Sequence, residues 1–215
     1  MRRSSAGFTL IELLIVITII GVLAVVLVPD LIAGRDQTNA LSDQQNLRRH
    51  FQWLTTYSNK LKHLPEEEGH KFVLATWTSG VVEHIEENFD CFFTPGSRES
   101  DPIWIDLRKS VQRGENPWPD LKGTNSKDTH YAGRAKEHMR TSLDGGEEAW
   151  MANDNEGVWS LRDGTVNILF HGGNVRSYSY QQLQEIYSLG PMDKNAPVKT
   201  WGPDSPIPFC KKLMN

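Results

Sequence analysis

The chain has 215 residues, with 23 Lys and Arg set against 27 Asp and Glu, for a formal net charge of −4. Neutralising phosphates requires clustered Lys and Arg, so this balance argues against nucleic-acid binding as a main role. Mean hydropathy is −0.48 even though one N-terminal segment is intensely apolar, so a water-soluble domain is expected after that segment. The remaining length suits one modest core.

Residues 8–28 read FTLIELLIVITIIGVLAVVLV, with Glu12 as the only charge. A bilayer core of about 30 Å is spanned by about 20 apolar helical residues, so the stretch predicts a transmembrane helix over 8–29. Arg2 and Arg3 precede it, while Asp30, Arg35 and Asp36 follow. The positive-inside bias then leaves the N-terminus in the cytoplasm and the rest of the chain extracytoplasmic, in single-pass topology. The run is longer than a secretory signal and ends in Pro29-Asp30 with no small-residue cleavage site, so removal of the whole run is not expected. A carboxylate inside an apolar helix costs on the order of 3 kcal/mol and usually marks function, which singles out Glu12. Pro29, lacking an N–H and crowding the preceding turn, should kink or loosen the helix.

After the apolar run, Leu47, Phe51, Leu54, Tyr57 and Leu61 recur at helical spacing, predicting an extramembrane helical half over 30–63. Gly34 and the polar run 36–46 make its middle weak. A globular α+β domain is expected over 64–190. Within it, 71–77 is a strand or the start of a helix, 81–88 a short helix and 103–107 a strand, and 110–148 is expected to be mostly loop. Residues 158–161, 165–170 and 175–180, separated by Asp163-Gly164 and Gly172-Gly173, predict a three-stranded antiparallel meander. A short helix over 181–189 should stop at Gly190-Pro191. Residues 191–215 hold five of the eleven prolines and predict an extended surface tail.

The N-terminal residues Arg2-Arg3-Ser4-Ser5-Ala6-Gly7, then Phe8-Thr9-Leu10-Ile11-Glu12 and the apolar run, resemble the prepilin cleavage and methylation motif of type IV pilins and type II secretion pseudopilins. The resemblance covers about the first 30 residues. It implies a seven-residue leader (1–7) removed by prepilin peptidase after Gly7, N-methylation of the new terminus at Phe8, and an assembly role for Glu12. In the family that glutamate is thought to meet the terminal amine of a neighbouring subunit; a cation and a carboxylate in low dielectric attract strongly, and each alone is costly to bury. The resemblance also implies a fold with a long N-terminal helix, transmembrane in its first half, packed on a C-terminal antiparallel β-sheet. Pro29 matches a proline found in many pilins. A second resemblance lies in Thr165-Val166-Asn167-Ile168-Leu169-Phe170 and the following Gly173-Asn174-Val175, similar to the C-terminal block of a group of pilin-like proteins. That block carries a His, nine residues, then Asp-Gly. Arg162 stands at the His position and Gly172 at the Asp position, so no role tied to those two residues carries over.

Chemistry-bearing patterns are few. Neither a zinc-protease helix, a nucleophile elbow, nor a phosphate loop is present, and the seven histidines lack metal-ligand spacing. No catalytic residue is therefore expected, and an enzyme is not the expected class. Asp144, Asn153, Asp154, Asn155 and Glu156 form an oxygen-rich cluster of the kind a hard cation prefers, which names calcium as the one candidate cofactor against a solvated acidic loop. Cys91 and Cys210 are a candidate disulfide in an oxidising compartment, with two free thiols as the alternative. Trp53, Trp77, Trp104 and Trp159 fall in predicted elements and read as core; Trp118, Trp150 and Trp201 fall in predicted loops and read as candidates for exposure.

The sequence thus points to a pseudopilin or minor pilin: a structural subunit of a secretion or pilus-like filament. Its expected partners are like subunits through the N-terminal helix, prepilin peptidase, an inner-membrane assembly platform and membrane lipid. A membrane-tethered binding module, processed alike but not polymerising, and an extracytoplasmic enzyme on an anchor are the competing classes.

Overall fold

The computed structural model describes residues 8–136, 148–155, 159–193 and 195–215; the side chains of Val26, Pro29 and Asp30 also lie outside the description. The chain divides into two units, Met1–Thr38 and Asn39–Asn215. A single α-helix, α1 (Leu10–Leu61), begins in the first and ends in the second.

In the first unit every described large apolar side chain from Phe8 to Ile32 is exposed, on all sides of the helix. A helix that is apolar all round is stable only when something covers it. Among the described residues, no helix is long and apolar enough to cross a membrane. The helix continues through position 29. The expected kink at Pro29 involves a side chain outside the description.

The second unit is an α+β arrangement. After α1 come α2 (His70–Thr78), α3 (Glu86–Phe89) and α4 (Pro102–Gln112), then β1 (Tyr131–Arg134), β2 (Ala149–Asn153), β3 (Val166–Phe170) and β4 (Val175–Tyr178), then α5 (Tyr180–Tyr187) and β5 (Leu213–Met214). The five strands form one antiparallel sheet in the order β4-β3-β2-β1-β5. Alternation assigns Tyr131 and Leu169 to one core, with Leu47 and Leu54 of α1, Phe72 and Trp77 of α2, and an aromatic group of Phe89, Phe92, Phe93 and Trp118. Ala132, Ala152, Val166, Ile168 and Phe170 belong to a second core, closed by Leu183 of α5 and by Ile207, Cys210 and Leu213. A register shift between Ala149 and Met151 lets the consecutive Trp150 and Met151 both join the first core, as a bulge does.

Several expectations are corrected. Residues 103–107 are helical: Asp101 accepts the Ile103 N–H at 2.9 Å as N-cap and Pro102 opens the first turn, a start signal that outweighs the β-branched composition. Residues 159–161 are not a strand, and Val158 lies outside the description; β3 pairs instead with β2. Of the two readings left open for 71–77 the helical one holds, within α2, whereas of the expected helix over 81–88 only 86–88 is α-helical, in α3. The polar middle of α1 remains helical. The β3–β4 hairpin forms as predicted, with Gly172 and Gly173 at positive φ; a Cβ on Gly173 would lie 2.6 Å from Phe51. α5 begins on a Ser179–Gln182 capping box and ends at Ser188 in the left-handed region, before Gly190. The Pro-rich tail is not merely surface-lying: Ile207, Cys210 and Leu213 are fully buried, and β5 extends the sheet beside β1. Trp118 and Trp150 are core residues, while Trp201 is half-buried.

Candidate functional site

Three places gather chemistry-bearing side chains. The first is the start of α1. Thr9 is the residue before the helix, and its N–H and Oγ1 both donate to Glu12 Oε2, at 2.8 and 2.7 Å. In return the Glu12 N–H donates to Thr9 Oγ1 at 3.3 Å. This reciprocal capping box satisfies amides that a helix start leaves orphaned. Both side-chain bonds converge on Oε2. Among the described residues Oε1 has no partner, and Phe8 and Glu12 are exposed. Gly7 lies outside the description.

The second is a buried polar cluster where α1 meets the sheet. Asp43 is fully buried, and its Oδ1 accepts from the Tyr131 hydroxyl at 2.6 Å. Its Oδ2 accepts from Asn153 Nδ2 at 2.6 Å and Asn167 Nδ2 at 2.7 Å. Asn167 also reaches the Ala40 carbonyl, and its own N–H donates to Asn153 Oδ1. One residue from each of β1, β2 and β3 thus holds one carboxyl of α1. Burial pushes the Asp43 carboxyl above its ordinary range, outweighing those three donors. Burial and the adjacent Asp43 push the Tyr131 phenol well up. Two turns on, His50 Nε2 lies 2.9 Å from the Cys91 carbonyl, which can only accept, so Nε2 carries the proton. Burial pushes this imidazole down to about 4, against the hydrogen bond that favours its charged form.

Sequence reasoning missed both residues, yet a signal was present. Ala40, Asp43, Leu47, His50, Leu54 and Tyr57 recur at alternating spacings of three and four, all buried. The polar identity of Asp43 and His50 hides two members of that row.

The third is a cleft of about 530 Å³ beside the start of α4. At its wall His130 Nε2 lies 2.8 Å from Asp101 Oδ2, while His130 Nδ1 receives the Thr94 N–H at 3.2 Å. Asp101 therefore caps α4 and holds His130 at once. Burial raises its carboxyl, but the bonds from His130 and the Ile103 N–H prevail and hold it below its usual range. Ser97 Oγ is 3.4 Å from His130 Nδ1 but donates to the Thr94 carbonyl at 3.2 Å. With Nδ1 already receiving an amide, this serine is braced rather than activated as a nucleophile.

Three of the five candidate calcium residues are described, and their side-chain oxygens receive protein donors. Asn153 Oδ1 receives the Asn167 N–H and Asn155 Oδ1 the Ser160 N–H, while Asp154 receives Trp201 Nε1 and Asn215 Nδ2. Asp144 and Glu156 lie outside the description, and no group of metal-ligating side chains gathers among the described residues. Cys91 and Cys210 are both free and buried. Cys91 contacts α1 through Arg49, whereas Cys210 belongs to the second core, and of the two alternatives the free thiols are the one found.

Residues 2–28 match the family described as the prokaryotic N-terminal methylation motif, and the chain carries the N-terminal signature of the type IV pilin and pseudopilin superfamily. Among curated proteins it is similar to the type IV wide pilus major component PilA4 of Thermus thermophilus, 62% identical over 37 residues. That stretch covers 17% of this chain and 28% of the relative. No solved structure matches the chain.

Proposed function

We propose that the protein is a minor pilin or pseudopilin: a structural subunit cleaved after Gly7, methylated at Phe8, stored in the membrane and drawn into a filament through its N-terminal helix. The observation that carries this reading is the methylation motif over residues 2–28, attached to a helix whose apolar side chains are exposed all round. Such a surface requires lipid or like helices around it. Glu12 fits the assembly role in detail. Its capping bonds use Oε2, so Oε1 remains for the amine of a neighbouring subunit, and the two charges would offset each other in low dielectric.

Like subunits, prepilin peptidase, an inner-membrane assembly platform and lipid are the partners this reading assigns, with the second unit extracytoplasmic. The measurement that tests it is the intact mass of the membrane-extracted protein from cells with and without the peptidase. Loss of residues 1–7 with gain of one methyl group, only when the peptidase is present, is the expected result. An unprocessed mass in both would overturn it. A tethered, non-polymerising binding module is the second reading, favoured by the cleft beside α4.

A further inference from the structure

The cleft beside α4 has an unequal supply of unused hydrogen-bonding groups. Its two carboxylates are taken: Asp101 by His130 and the Ile103 N–H, Asp154 by Trp201 and Asn215. The hydroxyls of Ser97, Thr129 and Ser160 donate to the carbonyls of Thr94, Phe92 and Asp154. What remains is Ser100, Ser126, Lys127 and Arg162, whose side chains have no partner among the described residues. All four can donate, and two carry full positive charge. The apolar part of the wall is Pro102, Ile103 and Trp159. The volume, about 530 Å³, falls within the range of roughly 300–1,000 Å³ typical of small-molecule sites.

From this imbalance we infer that the cleft binds a sugar acid, either free or as the terminal residue of a glycan. Its carboxylate sits against Lys127 and Arg162, its hydroxyls against Ser100 and Ser126, and its C–H face against Pro102, Ile103 and Trp159. An anion is selected because the unused capacity is cationic while both carboxylates are already satisfied. An organic, ring-sized body is selected because the wall between the polar groups is apolar. Arg162 offers the planar fork that suits a carboxylate; Lys127 supplies a point charge.

The test is titration of the full chain in detergent with D-glucuronate, followed by calorimetry, with D-glucose and inorganic phosphate as comparison ligands. Saturable binding of glucuronate, at least tenfold tighter than either comparison ligand, is expected. Lys127→Gln and Arg162→Gln should each weaken it about tenfold, with melting temperature unchanged because both side chains are exposed, while Lys211→Gln, outside the cleft, leaves it as it was. A glucuronide-terminated oligosaccharide binding more tightly than the free acid would identify a glycan end as the source; equal affinity would identify the free acid. No binding of glucuronate, equal binding of glucose or phosphate, or indifference to both cation substitutions would each overturn the assignment.

Discussion

Asp43 and His50 sit on one buried face of α1, and their titrations act oppositely on stability. His50 has an unfolded value of 6.5 and a folded value of about 4. Its contribution is complete above pH 6.5 and declines as pH falls toward 4, because the unfolded chain takes the proton and the folded chain refuses it. The span corresponds to about 3 kcal/mol. Asp43 runs the other way. Its folded value lies above the unfolded 3.8, so its contribution is fully present below pH 3.8 and is lost as pH rises through the folded value. Denaturant unfolding across pH separates the two. His50→Gln keeps an N–H for the Cys91 carbonyl and should flatten the loss of stability between pH 6.5 and 4. Asp43→Asn should fold and remove the loss on the alkaline side, since an amide can face the Tyr131 hydroxyl while its oxygen serves Asn153 and Asn167. Asp43→Ala leaves those three donors unpaired and should cost about 3 kcal/mol or more.

At the scale of elements, local signals and long-range contacts divided the outcome. The β3–β4 hairpin and α5 were legible because glycine at positive φ and a capping box act within a few residues. Helix α4 was misread because Ile103, Trp104 and Ile105 resemble a strand, although Asp101-Pro102 in front of them is a helix start. β2 and β5 were not legible as sheet members: β2 is short and bulged, and β5 pairs two residues with a strand about 80 positions earlier. One contact in this region yields a sharp expectation. Gly133 in β1 lies so close to α2 that a Cβ there would sit 2.3 Å from the Gly69 carbonyl oxygen, within a segment tied by Gly69 N–H to Arg134 O at 3.0 Å. Gly133→Ala must push backbone apart and should destabilise by about 2–3 kcal/mol in thermal or denaturant unfolding. Gly123→Ala, with open space around it, serves as the control.

At the scale of the whole molecule, the proposed filament role gives the N-terminal carboxylate a second duty, separable from its cap. Glu12→Gln retains the acceptor that closes the capping box with Thr9 but removes the charge; Glu12→Ala removes both. Filament yield should fall severely in both variants, while helix content of the membrane-extracted chain should be unchanged in Glu12→Gln and fray by about one turn in Glu12→Ala, a loss of ~1 kcal/mol. Normal filaments from Glu12→Gln would sink the charge-pairing role and leave only the cap.

Two things followed from the sequence alone: the apolar N-terminal helix with its methylation motif and single carboxylate, and an α+β layout behind it. Both are written in contiguous residues, where a basic leader, a glycine junction, an unbroken apolar run and turn glycines need no distant partner to be read. Tertiary structure alone decided that Asp43, in the polar middle of α1, is buried, because a carboxyl is tolerable there only when Tyr131, Asn153 and Asn167 arrive from three strands to bind it. It also decided that Cys91 and Cys210 are buried as free thiols, and that donors from four positions remain unspent around one cleft. Each of these depends on residues brought together from separate parts of the chain, and the free energy that fixes them is that of satisfying or stranding polar groups away from water.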